Sequence, residues 1–251
     1  MSFKNFRIKN GLAFTFQMAS ILAAIMLFST CKSHFVVYEV QQSPATIGVV
    51  DLNDQFEDDS YGTEEVEVIG PVLFCAPAEK KVGNKTYGIA DNDHHFTAYR
   101  LMNKKHITRN VRIKNQFTDG WEPYTVEEAK YLLVPTQKMT PGNHKPPQKL
   151  DHYVCYRIIN GEPPGVEVEM KDQFMTYEKR PVGKPEFLCV PAEKVRDNEV
   201  TPILNPRKHF VFYRFQEDVG VDAVISNQFQ PQFTIGMNKV SGILVESEKK
   251  M

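Results

Sequence analysis

Four histidines recur in this sequence with the same company. His34, His95, His152 and His209 are each followed by an aromatic residue, two variable residues and a tyrosine, as HFVVY, HFTAY, HYVCY and HFVFY. Each is answered downstream by Asp or Asn, then Gln, then Phe, with the glutamine at 55, 116, 173 and 228. Imidazole titrates near neutral pH and is the commonest metal ligand, so four histidines drawn to one point could hold a metal ion. The repetition argues for a different role. A catalytic site gathers unlike residues from different places, whereas a residue required in every copy belongs to a framework. The Asp or Asn is expected to close a turn on nearby backbone amides. The Phe is expected to anchor the core, at about 2–3 kcal/mol, and the Gln to reach the backbone of the next strand. No metal is expected.

The remaining reactive side chains are scattered. The run DNDHH at 91–95 lacks the spacing of a calcium loop and reads as a solvated loop before a strand. NKKHITR at 103–109 is locally basic and reads as a solvated turn. The chain holds no Gly-x-Ser-x-Gly, no Walker loop, no His-Glu-x-x-His and no dinucleotide fingerprint. No catalytic residue and no cofactor is assigned, and the protein is expected not to be an enzyme. Trp121, the single tryptophan, lies with Tyr124 in DGWEPY and has no counterpart in the other copies. A unique aromatic on a loop is a candidate contact for a glycan or protein partner. It is equally a candidate cap on a domain interface.

The N-terminus differs in kind. Lys4, Arg7 and Lys9 precede an apolar run over 12–28, and no acid appears until Glu39. This is the layout of a secretory signal, expected to occupy 1–30, and the run is short for a spanning helix. It ends in LFSTCKS, a cysteine directly after small residues, as in a bacterial lipoprotein signal. Cys31 is therefore expected to become the lipidated first residue, anchoring the protein in the cell envelope, at the outer membrane. The alternative is ordinary cleavage and a soluble periplasmic or secreted chain. Removing three positive charges leaves 27 basic (30 − 3) against 31 acidic residues, a net of about −4. That balance offers no electrostatic footing for nucleic acid.

The framework that positions these residues is a unit present four times. The starts are 61, 57 and 57 residues apart, and the copies close on FCAPAEK, LLVPTQK, LCVPAEK and ILVESEK. Valine, phenylalanine and tyrosine are plentiful in the recurring segments of the unit, and turn residues separate them, so each copy reads as four short strands with the closing run halted by proline. The fold class is all-β. The copies also alternate: one and three share Asp54/Asp172 and Cys75/Cys189, while two and four share Asn115/Asn227 and Leu133/Leu244. The alternation predicts two tandem pseudo-symmetric β-barrels or β-sandwiches, over 31–139 and 152–251, joined by a proline-rich linker at 140–151. A single four-bladed propeller is the alternative.

Copies three and four, with HYVCYRI, KDQF, LCVPAEK and SNQF, resemble an uncharacterised β-rich domain family of exported bacterial proteins. The resemblance extends over nearly all of the chain after His34 and implies export and a β-fold. It carries no activity. Copy one departs from the pattern, with Val37 where copy three has Cys155. Cys155 and Cys189 follow the register of the unit, on its first and last strands, and are expected to form a disulfide. With Cys31 lipidated, Cys75 is left unpaired; otherwise Cys31–Cys75 is open as a second bridge. The functional expectation is a non-enzymatic envelope lipoprotein that binds a partner or supports structure. A secreted carbohydrate-binding or adhesive protein is the alternative.

Overall fold

Each His-aromatic-x-x-Tyr segment is a run of β-branched and aromatic residues, which suits an extended chain packed on both faces. The computed structural model describes residues 32–42, 44–57 and 63–251; the expected signal segment and Cys31 lie outside them. Copy one contributes β1 (His34–Val40), β2 (Ala45–Asp54), β3 (Glu64–Pro77), β4 (Glu79–Val82) and β5 (Lys85–Tyr87). Copy two contributes β6 (His95–Met102), β7 (Thr108–Lys114) and β8 (Glu122–Thr140). Copy three contributes β9 (His152–Ile158), β10 (Glu167–Lys171), β11 (Thr176–Pro181), β12 (Pro185–Arg196) and β13 (Glu199–Thr201). Copy four contributes β14 (His209–Ser226) and β15 (Phe233–Lys250). The described residues are all-β, as expected.

The count of four short strands per copy needs correction. The third and fourth fuse into β3, β8 and β15, and in copy four the first and second fuse into β14; only copy three keeps β11 and β12 apart. Proline does not halt every closing run either, since Pro135 and Pro191 lie inside β8 and β12. Each pairs with the aromatic residue that follows the histidine of its own copy, Pro135 with Phe96 and Pro191 with Tyr153. On its other side the closing strand has already left the next copy, whose pairing ends at Leu133 or Cys189. The missing N–H therefore breaks no ladder. Copy four shows the point from the other direction. Glu246 stands in place of proline, and its amide donates to the Ser33 carbonyl at 3.1 Å.

Every closing strand lies between the first strand of its own copy and that of the next. β3 pairs with β1 and β6, β8 with β6 and β9, and β12 with β9 and β14. β15 then pairs with β14 and returns to β1. All eight pairings are antiparallel, and they run round a closed circuit of eight strands. The circuit is not a clean barrel. β2 bridges β3 and β12, β7 bridges β8 and β15, and β11, β10, β4 and β5 form a separate four-stranded sheet.

The expected division into two domains is not how the strands pair. Copies one and four share an edge, as do copies two and three. A pair of copies alone would leave two unpaired edges, and closing all four together removes them. Residues 140–151 are correspondingly no free linker. Leu150 joins the innermost core, and the Asp151 carboxylate accepts the Leu204 and Asn205 amides at 2.6 and 2.9 Å.

The period of two along each first strand separates two clusters. Phe35 and Val37 point into the circuit, and Val36 and Tyr38 point out of it. The same alternation places Tyr153 and Cys155 inside, with Val154 and Tyr156 outside. At one end of the interior Phe35, Phe96, Tyr153 and Phe210 meet edge to face around a ring, with centroids 5.0–5.6 Å apart. The outward residues pack under the Gln-Phe turns.

Candidate functional site

The repeated polar residues bind one another, always across copies. Each Asp or Asn first closes its own turn, accepting the amide of the Phe two residues on. The four distances are 2.9, 2.8, 2.8 and 2.9 Å, from Asp54 through Asn115 and Asp172 to Asn227. The same side chain then meets a tyrosine from the copy opposite. Tyr38 donates to Asp172 at 2.5 Å and Tyr156 to Asp54 at 2.7 Å. Asn115 donates to Tyr213, and Asn227 to Tyr99, both at 2.9 Å. Copies one and three thus exchange Asp–Tyr bonds and copies two and four exchange Asn–Tyr bonds, which accounts for the alternation in the sequence. The Phe of each turn lies edge-on to the same tyrosine, at 4.9–5.4 Å.

The expectation that the glutamine reaches the backbone of the next strand is corrected: it reaches a histidine. His95 meets Gln173 at 2.9 Å, His209 meets Gln55 at 2.8 Å, and His34 meets Gln116 at 2.8 Å, while His152 bonds Gln228. Each histidine thus binds the glutamine of the following copy, and copy four closes on copy one. His209 Nδ1 donates to the Arg207 carbonyl at 2.9 Å, which leaves Nε2 bare to accept from the Gln55 amide. The closing lysines follow the same order. Lys80 lies over Phe117, Lys138 over Phe174, Lys194 over Phe229 and Lys249 over Phe56, at 4.2–5.7 Å.

Burial governs the ionisation of this belt. His34, His95 and His152 are pushed down to about 3 and His209 to about 4, chiefly by loss of solvent. Burial likewise lowers Lys80 to about 6 and raises Asp54 and Asp172 above the usual carboxylate range. The histidines are neutral hydrogen-bonding groups at physiological pH. Among the described residues no three of His, Cys, Asp and Glu are grouped to hold a metal ion. The run at 91–95 folds back on itself and on residue 144. Asp91 pairs with His94 at 3.2 Å, and Asp93 with His144 at 3.2 Å.

The cysteines occupy the inside of the circuit. Cys155 and Cys189 are opposite each other on β9 and β12 and are bonded. Cys75 is a buried thiol on β3, opposite Val37 of β1 in the equivalent register, and burial raises its pKa strongly. These residues floor a bowl of about 270 Å³ at the end of the interior away from the aromatic ring. Its floor is Val37, Cys75, Leu133, Phe212, Leu244 and the disulfide. Tyr131, Phe187 and Phe212 make one wall, with neighbouring centroids 5.1 and 5.9 Å apart. Leu73 and Val72 line it as well.

Polar groups enter the bowl at its rim. The sixth residue of each copy is Glu39, Arg100, Arg157 or Arg214. Arg214 is held by Glu186 through two bonds of 2.6 and 2.8 Å, and Arg157 is held by Glu127 outside the bowl. Arg100 lines the rim with no side-chain hydrogen bond or ion pair among the described residues. Ser241 has a specific cause. β1 pairs Val37 with Gly242 and Tyr38 with Val240, so Ser241 is the extra residue of a β-bulge. A bulge re-aims the side chain it carries. Ser241 is 3% exposed, lines the bowl, and its hydroxyl has no partner among the described residues.

Sequence reasoning did not single out Arg100 or Ser241. Arg100 carried no signal of its own, since the sixth position is Arg in three copies and only Glu39 of copy one departs from it. Ser241 had none, because a bulge belongs to pairing between copies one and four. Lys250 covers Trp121 at 4.3 Å, while Tyr124 lines a hollow with Phe117 and Asn160. The basic turn at 103–109 is also not simply solvated, for Lys104 is buried against Glu57 and Glu64.

Fold and site together define a class, an all-β repeat protein whose copies satisfy each other's buried polar groups. The particular family is a repeat of unknown function (DUF7450), whose model matches residues 98–230, more than half of the chain, and the chain belongs to it. The match runs from the first strand of copy two to just beyond the Gln-Phe turn of copy four. No curated protein and no solved structure matches the chain.

Proposed function

We propose that this protein is a non-enzymatic binding module of the bacterial cell envelope, held at the outer membrane by a lipid on Cys31. The observation that carries the non-enzymatic part is the closed exchange between copies. Side chains with the capacity for acid–base work, four His, four Tyr and two Asp, are buried against partners in other copies. Such groups hold a fold together, and a reacting molecule would have to displace them to use them. The lipid anchor draws its support from the sequence, from the apolar run and LFSTCKS. Contacts with a protein or glycan partner fall to groups outside the belt. The glycan alternative would have to use a Trp121 ring over which Lys250 already lies.

Intact mass of the protein from its native host tests the anchor. The expected mass begins at Cys31 and includes a diacylglycerol and an acyl chain, with one alkylatable thiol after unfolding, at Cys75. An unlipidated mature chain with no free thiol would overturn the lipoprotein reading.

A further inference from the structure

We infer that the bowl at the end of the strand circuit is a binding site for a small aromatic molecule bearing a carboxylate or similar anionic group. This deepens the binding reading above and rests on it. The first ground is internal comparison. Around the belt the four copies present the same residues, and at two positions toward the bowl they present different ones. The fourth position of each first strand is Val37, Ala98, Cys155 or Phe212, and the position facing the sixth residue is Leu73, Tyr131, Phe187 or Gly242. Unlike residues converging on one cavity are what a ligand of low symmetry requires.

The second ground is chemical. The aromatic wall of Tyr131, Phe187 and Phe212 offers flat faces and edges to a planar apolar body. Phe212 holds that position because residue 242 is glycine; a Cβ there would sit 2.8 Å from two carbons of the Phe212 ring. Among the described residues, Arg100 and Ser241 enter from separate sides with no hydrogen-bond partner, and the Glu39 carboxylate on the same rim acts on Arg214, which Glu186 holds. Ser241 offers a buried hydroxyl that no described residue satisfies, a group that costs free energy until a ligand bonds it. Arg100 offers an open guanidinium suited to a carboxylate. Apolar lining with few polar groups is the usual make-up of a small-molecule site.

Isothermal calorimetry on the mature protein with 2-naphthoate, and with uncharged 2-naphthamide, tests this. The expected result is one site per chain, with the acid bound more tightly than the amide. Arg100→Gln, at an exposed position, should weaken the acid about tenfold and the amide less than twofold. Ser241→Ala should weaken both. Leu73→Trp, which fills the bowl, should abolish both while the far-ultraviolet spectrum and melting temperature hold. Absence of binding at millimolar 2-naphthoate would overturn the site. So would binding that survives Leu73→Trp, or an equal loss of acid and amide in Arg100→Gln. Failure of the lipid anchor would appear in the intact mass and leave these titrations unchanged.

Discussion

The belt and the bowl are built from the same strands and obey opposite rules. In the belt, His, Tyr, Gln, Phe and Lys recur at matching positions of every copy, and each is bound by its counterpart in another copy. In the bowl, the inward fourth residues of those same strands differ in every copy, the sixth is Glu39 in copy one and Arg in the other three, and Arg100 and Ser241 have no side-chain hydrogen bond among the described residues. The difference teaches where selection for the fold ends within a repeat. A framework position must suit a neighbour that is a copy of itself, so it repeats. An inward position at the open end faces a cavity and is free to diverge.

Several substitutions and one titration would break or sharpen this contrast. The largest effect is expected from acid. The belt histidines ionise at about 3–4 when folded and near 6.5 when unfolded. Below pH 6.5 the unfolded chain therefore binds more protons, and stability falls as pH falls. Each histidine contributes about 1.4 kcal/mol per pH unit until its folded pKa is reached. Asp54 and Asp172, raised by burial, act in the opposite direction but number two against four. Urea midpoints between pH 8 and 4.5 should drop steeply below 6; a flat profile would show the histidines to be solvated.

Next in size, Phe117→Ala should cost about 3–5 kcal/mol through the cavity it leaves under Tyr213 and Lys80. Denaturant unfolding reads it directly. Val37→Cys should do the reverse. It gives copy one the cysteine pair of copy three, in the same register, and the new bond with Cys75 should add about 2–4 kcal/mol. Thiol titration of the unfolded, unreduced mature protein should fall to none if Cys31 is lipidated. Tyr38→Phe, which strands a buried Asp172 oxygen, should cost about 1–3 kcal/mol. At the bowl, Arg100→Gln should leave stability within about 0.5 kcal/mol. A large loss there would make Arg100 part of the framework and erase the distinction.

Much of the belt was legible in the chain. Its members were identifiable because repetition marks them, and the turn-closing Asp or Asn followed from side-chain chemistry alone. Their partners were not legible. Nothing local tells Gln116 that it will meet His34, or Tyr38 that it will meet Asp172, since both bonds join different copies. The alternation of Asp with Asn is visible in the sequence and suggests two domains. It records instead which copies lie opposite one another. The disulfide between Cys155 and Cys189 was readable, because both residues keep the register of one copy. Ser241 was not, because its bulge exists only against β1.

By itself, then, the sequence determined the β-class, the four-copy unit, the turn chemistry and the division of each strand into two faces. These depend on alternation and on bonds spanning two or three residues. Tertiary structure alone decided that the four copies close into one circuit, that each histidine is held by the next copy, and that an unlike set of residues rims one end. The physical reason is edge pairing. A repeated strand carries the same hydrogen-bonding groups whichever copy it meets, so the sequence specifies that edges must be paired, and only the closed fold specifies with which.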